Sequence, residues 1–198
     1  MKDHRICFIG DSYVQGTGDP ECLGWAGRLC VAARRAGYNV TGYNLGVRRE
    51  TSRDIAHRWL SECEQRLPAE TGNYVVFSFG ANDVAIENGA PRVPENETLA
   101  NLRAMLDVAT ARYRTLVIGP PAVPDDGINA RLVNLSERMG EIAVQLDVPY
   151  FALFPLLVNN GQWMDEVRAG DGAHPRAAGY AGIAALVETS PAWWFKPH

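Results

Sequence analysis

The chain has 198 residues, of which 46% are hydrophobic and 21% are charged, and its net charge at pH 7 is −4. This composition is typical of a folded globular protein and excludes a collagen-like or disordered chain. The length predicts a single domain over residues 1–198, because roughly 100 to 200 residues suffice for a core without disulfides or metals. Charges of both signs are scattered along the chain, so nucleic acid is not an expected partner.

The cellular location is predicted from apolar runs and cysteine spacing. No apolar run approaches the roughly 20 residues of a membrane-spanning helix, and only a short one, residues 6–9, follows the first residues. The cysteines show no C-x-x-C spacing, which favours reduced thiols that act as small buried hydrophobic side chains. They are Cys7, Cys22, Cys30 and Cys63. We therefore expect a cytoplasmic protein without stable membrane insertion.

Five segments have the pattern of strands. Continuous apolar runs occupy residues 6–9, 75–77 and 116–118, as in strands buried on both faces of a parallel sheet. The more polar residues 40–45 predict an edge strand, and residues 148–154 predict a fifth strand.

Amphipathic helical patterns separate these strands. The first covers residues 25–36 and ends at Gly37, and the second follows a capping box at Thr51 and stops at Pro68. A third follows Pro94, a fourth covers residues 128–146, and the last begins at Pro175. Alternating strands and helices predict an α/β fold with its chemistry at the carboxyl ends of the strands.

Candidate catalytic residues directly follow three of the strands. Ser12 comes after the first strand, Gly46 after the second and Asn82 after the third. Singly, each of them also suits an ordinary turn or cap. Near the C-terminus, Asp171 and His174 are separated by a glycine turn that lets carboxylate and imidazole meet. A hydroxyl, a base and anion donors at one sheet edge favour nucleophilic catalysis by serine.

With these residues the chain resembles the SGNH hydrolase family, also called GDSL-type esterases and lipases. The resemblance covers nearly the full length and rests on the motifs Gly10-Asp11-Ser12, Gly80-Ala81-Asn82-Asp83 and Asp171-Gly172-Ala173-His174, together with Gly46. It implies a three-layer αβα sandwich with a flavodoxin-like five-stranded parallel sheet of order 2-1-3-4-5. Tyr13 stands where the family has Leu, which puts in doubt any substrate borrowed from relatives.

The resemblance also implies a role for each site residue. Ser12 would be the nucleophile, His174 the general base and Asp171 the group that orients it. The backbone N–H groups of Ser12 and Gly46 and the side chain of Asn82 would hold the oxyanion. The implied substrate is a small-molecule ester, cleaved through an acyl-enzyme without a cofactor.

Two alternatives stay open. A thioesterase or a carbohydrate acetylesterase could use the same site. A ligand-binding module that kept the fold and lost turnover belongs to a different class.

Other chemistry finds less support in the sequence. The dinucleotide pattern G-x-G-x-x-G fails at Glu21, and no P-loop motif is present. The only lysines, Lys2 and Lys196, lie near the ends, which excludes mechanisms that need an internal lysine. The histidines lack metal-ligand spacing, so no metal is expected. Surface positions are expected for the three others, His4, His57 and His198.

Short acyl chains are expected, because a domain of this size has little room for a tunnel. Four large apolar residues are candidates for the lining of an acyl pocket. These candidates are Tyr13, Trp25, Trp163 and Met164. Trp193, Trp194 and Phe195 are expected to pack rather than to close a pocket. The sequence leaves the oligomeric state open.

Overall fold

The computed structural model describes residues 2–197, which form a five-stranded parallel sheet between two layers of helices. The strands, including a small separate hairpin, are β1 (Asp3–Gly10), β2 (Asn39–Gly46), β3 (Gly72–Ser78), β4 (Ile86–Glu87), β5 (Ala90–Pro91), β6 (Arg114–Ile118) and β7 (Tyr150–Phe151). The helices are α1 (Ser12–Gln15), α2 (Gly24–Arg35), α3 (Ser52–Glu64), α4 (Glu95–Thr110), α5 (Asp126–Gln145), α6 (Phe154–Leu157), α7 (Gly161–Arg168) and α8 (Ala177–Thr189).

The sheet order is β2-β1-β3-β6-β7, and each neighbouring pair is parallel. With the hairpin β4-β5 left aside, this is the predicted order 2-1-3-4-5, so the expected α/β sandwich is confirmed. β1 and β3 are buried in the centre because continuous apolar residues can face helices on both sides. The polar strand β2 lies at the edge, as predicted.

Two aromatic contacts illustrate the two helical layers. Phe8 of β1 packs edge-on against Trp25 of α2, and Phe77 of β3 packs against Trp59 of α3. Ile9 pairs with Phe77 across the two strands, and side chains alternate along a strand, so Phe8 and Phe77 point to opposite faces. In one layer α8 contacts both α2 and α7, and in the other α4 contacts both α3 and α5.

Most of the predicted helices are found close to their expected limits. The capping box of α3 is present between Thr51 and Asp54, and Gly37 has the predicted left-handed backbone with φ of 90°. The prediction for α8 is wrong by two residues, because Arg176 occupies the N-cap and Pro175 lies outside the helix.

The fifth predicted strand is much shorter than expected. Only Tyr150 and Phe151 pair with β6, and the prediction that the strand reaches Phe154 is wrong, since α6 begins there with Pro155 at its second position. Proline fixes a backbone angle suited to the first turn of a helix and donates no ladder hydrogen bond.

None of the helices between residues 2 and 197 is long and apolar enough to cross a membrane.

An aromatic cluster near the C-terminus covers the amino ends of β1 and β3. Its members are Trp193, Trp194 and Phe195, packed against Phe8, His4, Tyr38 and Tyr74. The packing role of the three C-terminal aromatic residues is confirmed.

The surface position predicted for His4 is wrong, because this half-buried ring lies 5.3 Å from the ring of Phe195. Burial, aided by the charges of Lys2 and Arg114, lowers the pKa of His4. His57 is exposed, as predicted, and His198 lies outside the described residues.

Trp193 provides a stability test of this cluster. The side chain is only 1% exposed, and its Nε1 has no hydrogen-bond partner among the described residues. We expect Trp193→Ala to lower the free energy of unfolding by about 3–5 kcal/mol, through lost packing. Trp193→Phe keeps a ring and removes an unpaired N–H whose burial costs about 1–3 kcal/mol, so it is expected to cost much less. Urea unfolding compares the two variants; equal losses would contradict this account.

Candidate active site

Ser12 lies at a sharp turn between β1 and α1. Asp11 caps the short helix, with its carboxylate accepting a hydrogen bond from the Tyr13 N–H at 2.9 Å. Gly16, with φ of 86°, ends the helix one turn later. The Ser12 hydroxyl is thereby held at the carboxyl edge of the sheet, 2.7 Å from Nε2 of His174. Ser12 is otherwise buried, with 5% of its surface exposed.

Asp171 and His174 are joined both by side chains and by backbone. Oδ2 of Asp171 lies 2.7 Å from Nδ1 of His174, and its Oδ1 accepts hydrogen bonds from the N–H groups of Ala173 and His174. Gly172 permits this tight loop through a φ of 79°. The structure therefore brings Ser12, His174 and Asp171 into one continuous chain of hydrogen bonds.

The electrostatics of Asp171 keep its carboxylate charged. Partial burial acts to raise the pKa of Asp171, but the hydrogen bonds from the backbone and ring of His174 and from the Ala173 N–H outweigh it and lower the value to about 2. An ionised carboxylate at this position fixes the imidazole with Nδ1 protonated. Nε2 is then the atom free to accept the Ser12 proton.

Asn82 lies beside Ser12 at the end of β3. Its Nδ2 donates to the Glu50 carbonyl at 2.9 Å, and the second N–H is engaged only weakly, by Asp11 at 3.4 Å. The loop that carries Asn82 begins at Gly80, which has φ of 117°. Asn82 therefore has one donor that orients the amide and one that faces the turn that carries Ser12.

Buried polar groups behind these loops hold them in place. The Asp83 carboxylate accepts hydrogen bonds from the Ser52 N–H and from the Thr98 hydroxyl. The Arg58 guanidinium pairs with Glu50 at 2.6 Å and also donates to the carbonyls of Gly10 and Leu45. The ends of β1 and β2 are thus tied to the segment that orients Asn82.

Gly46 has a different environment from the other predicted site residues. Its N–H donates to Oδ1 of Asn44 at 3.0 Å, and it does not line the cavity beside Ser12. A Cβ at this position would lie 2.2 Å from the Gln15 nitrogen and 2.7 Å from the Asp11 carbonyl oxygen. These contacts assign Gly46 to close backbone packing beneath the nucleophile turn, and its role as an oxyanion donor stays a prediction.

A cavity of about 180 Å³ opens beside Ser12 and His174. The other lining residues include Tyr13, Arg48, Arg49, Ala81, Asn82, Ala85, Val123, Ile128 and Leu132. A larger cavity, about 510 Å³ and between α5 and α6, contains none of the predicted site residues.

The prediction for the acyl pocket is mostly wrong. Tyr13 lines the cavity, but Trp25, Trp163 and Met164 are buried in the core and do not. No sequence motif marks the other lining residues, which are Arg48, Arg49, Ala85, Val123, Ile128 and Leu132. For those on loops, only their place after a strand could have indicated them. Among residues 2–197, no group of three or more His, Cys, Asp or Glu side chains is placed to hold a metal ion.

Comparisons with known proteins agree with this fold. The GDSL-like Lipase/Acylhydrolase family matches residues 8–181, and the chain belongs to this family. It is therefore a carboxylic ester hydrolase. No curated protein matches the chain significantly.

Several solved structures share the fold. A catalytic mutant of Axe2, an acetylxylan esterase from Geobacillus stearothermophilus, superposes with a TM-score of 0.76 at 18% identity, covering 94% of this chain and 93% of that one. TesA gives 0.75 at 23% identity, covering 93% and 96%. A lipase/acylhydrolase from Enterococcus faecalis gives 0.71 at 22% identity, covering 93% of each chain.

The buried Asp11 carboxyl predicts a pH dependence of stability. Burial raises the pKa of Asp11 to about 7. The negative charges of Asp83 and Glu50 also raise it, whereas the hydrogen bond from the Tyr13 N–H acts to lower it. Between pH ~4 and ~7 the folded state keeps a proton that the unfolded chain releases, so the free energy of unfolding falls as pH rises, by at most about 1.4 kcal/mol per pH unit.

Asp11→Asn keeps the shape and the acceptor oxygen and removes this titration. We expect the variant to have a shallower slope in urea-unfolding free energy across that pH window, with the buried Asp83 keeping its own contribution, whereas Asp107→Asn, at an exposed helix position, should retain the wild-type slope. A slope as steep in Asp11→Asn as in the wild type would contradict burial as its origin.

Proposed function

We propose that the chain hydrolyses short-chain carboxylic esters through an acyl-enzyme formed on Ser12. The observation that carries the proposal is the pair of 2.7 Å contacts that link the Ser12 hydroxyl to His174 and His174 to Asp171. A serine hydroxyl is a weak nucleophile until an adjacent base accepts its proton. His174 accepts that proton as Oγ attacks the ester carbonyl carbon.

The tetrahedral intermediate places a negative charge on the former carbonyl oxygen. Asn82 supplies the Nδ2 hydrogen that is held only weakly by Asp11, and Ser12 supplies the backbone N–H at the start of α1. Each well-placed donor is worth roughly 3–4 kcal/mol in the transition state. The Gly46 N–H would be a third donor only after it leaves the Asn44 side chain.

The second half of the cycle regenerates the enzyme. His174 gives its proton to the leaving alcohol, and a water molecule then attacks the acyl-enzyme with His174 again as the base. Asp171 remains ionised throughout, which its low pKa supports, and it holds the imidazole orientation in both steps.

The size of the cavity supports short acyl groups. Ligand pockets for drug-sized molecules occupy roughly 300–1,000 Å³, whereas the cavity beside Ser12 has about 180 Å³. Ile128 and Leu132 of α5 and Val123 line it with apolar side chains. An acetyl to butyryl group suits this volume.

A fluorophosphonate probe tests the nucleophile and separates an enzyme from an inactive binding module. We expect wild-type protein to be labelled at Ser12, and Ser12→Ala and His174→Ala to lose labelling and about 10⁴-fold or more in kcat. His57→Ala, which removes an exposed histidine, should retain both. Tandem mass spectrometry of the digested protein locates the adduct; esterase activity that persists in Ser12→Ala would refute the assignment.

Acyl-chain preference tests the cavity. We expect kcat/KM for p-nitrophenyl esters to fall at least tenfold from butyrate to octanoate, since one methylene changes discrimination by roughly tenfold or more. Leu132→Ala enlarges the cavity and should shift the preference toward longer chains, whereas Leu102→Ala, which truncates an equally buried leucine of α4 outside the cavity, should not. Acetylated xylo-oligosaccharides and acyl-CoA belong in the same panel, and preference for long-chain lipid esters would overturn the proposal.

A further inference from the structure

Two arginines lie at the entrance of the catalytic cavity. Arg48 and Arg49 line the same space as Ser12 and His174, and both are exposed. The protein as a whole is acidic, with a net charge of −4, so adjacent cations at this entrance need a specific explanation. A cleft lined by one sign of charge concentrates ligands of the opposite sign.

Neither guanidinium is neutralised by a close ion pair. Arg48 has no hydrogen bond or ion pair within residues 2–197, and Arg49 is 3.9 Å from Glu87, with both side chains more than half exposed. By contrast, the nearby Arg53 and Arg58 are paired with Glu97 and Glu50. Glu87 is itself shared with Arg92 at 3.5 Å.

The backbone presents these two side chains from a strained, well-anchored turn. The Glu50 N–H donates to the Val47 carbonyl at 3.3 Å, so Arg48 and Arg49 are the central residues of a four-residue turn. Arg49 has φ of 68°, a conformation that favours glycine or asparagine at this position of a turn. Such strain in a non-glycine residue is typical of functional sites, where the surroundings enforce it.

Contacts on Glu50 hold the end of this turn. Its carbonyl accepts the hydrogen bond from Asn82, and its carboxylate is bound by Arg58. The two guanidinium groups therefore extend from a backbone that is tied directly to the catalytic loops.

The strand order gives the cavity two chemically different ends. β1 carries Ser12 and lies between β2, which precedes the arginines, and β3. The apolar lining, Ala81, Val123 and Leu132, comes from the β3 and β6 side and from α5. An ester bound at Ser12 with its acyl part against Val123 and Leu132 would direct its alcohol part toward the arginines.

We propose that the preferred substrate is a short-chain ester whose alcohol part carries an anionic group, a carboxylate or a phosphate, bound by Arg48 and Arg49. Guanidinium groups suit both anions because their planar donors match the oxygens in pairs. This inference rests on the proposed function, since it names the substrate class of the same site.

Paired substrates test the inference. The esters 4-acetoxybenzoate and 4-acetoxybenzamide share the acetyl group and differ in charge, and the ratio of their kcat/KM values measures recognition of the anion. In Arg48→Gln/Arg49→Gln we expect this ratio to fall about five- to tenfold, the effect of losing two solvent-exposed ion pairs. The loss should appear mainly in KM, as expected for a binding group.

Two control variants separate charge recognition from other effects. Arg34→Gln/Arg35→Gln removes the same charge from an exposed adjacent pair at the end of α2 and should leave the ratio unchanged. Arg48→Lys/Arg49→Lys keeps the charge and should keep most of the ratio.

High salt should lower the wild-type ratio, because the Debye length shrinks from ~10 Å at 0.1 M to ~3 Å at 1 M. Adding 4-acetoxyphenyl phosphate distinguishes phosphate from carboxylate as the preferred anion.

The outcomes distinguish this inference from the proposed function. An unchanged ratio in Arg48→Gln/Arg49→Gln, an equal fall in Arg34→Gln/Arg35→Gln, or an equal fall in the lysine variant would overturn the inference while leaving ester hydrolysis intact. Failure of the wild type to hydrolyse either ester would instead count against the proposed function.

Discussion

β1 ends between β2 and β3 with almost no space between the backbones. A Cβ on Gly10 would lie 2.0 Å from the Ser78 carbonyl oxygen, and one on Gly46 would lie 2.2 Å from the Gln15 nitrogen. Glycine is the residue that permits such close approach. Because the turn that carries Ser12 follows Gly10 directly, this contact determines how near Ser12 lies to the loops that carry Asn82 and Glu50, and the remaining geometry of the site depends on it.

Buried carboxyl groups stabilise the loops around this contact at a cost to the fold. Asp11 caps α1 and contacts Asn82, while Asp83 caps the start of α3. Burial raises the pKa of both groups, which means that their charged forms are unfavourable in the folded state. Each one accepts a hydrogen bond from a backbone N–H, of Tyr13 or Ser52, and another from a side chain of a different segment, Asn82 or Thr98. An apolar residue could accept neither. The folded state is less stable as a result, but the loops keep fixed positions relative to one another.

The sequence predicted the parts of the site that depend on chain position. A residue directly after a buried strand lies at the sheet edge whatever its neighbours are, and for this reason Ser12 and Asn82 were identifiable. Asp171 and His174 were identifiable because a three-residue spacing closes locally. The strand order came from the family resemblance, and the superpositions and the sheet itself confirm it.

The remaining features depend on contacts between distant segments. The N–H of Gly46 is directed by the Asn44 side chain, and the cavity lining comes from four separate segments, so neither follows from local spacing. The shortening of β7 likewise depends on tertiary packing, since Phe154 is buried in the core at the point where α6 begins. Propensity alone cannot distinguish a buried strand from a buried helical turn in so short an apolar run.

Tyr13 shows how one departure from the family pattern affects the site. Its hydroxyl donates to the Ala173 carbonyl at 2.8 Å, and its ring lies 5.1 Å from the His174 ring. Leucine has no donor for that carbonyl, so the tyrosine adds a direct link between the nucleophile helix and the histidine loop. The link joins residues 160 positions apart in sequence, and one of them is adjacent to a glycine with a left-handed backbone. Tyr13 therefore ties down the loop that holds His174 as well as lining the cavity, and the change from Leu affects the position of His174 in addition to the shape of the pocket.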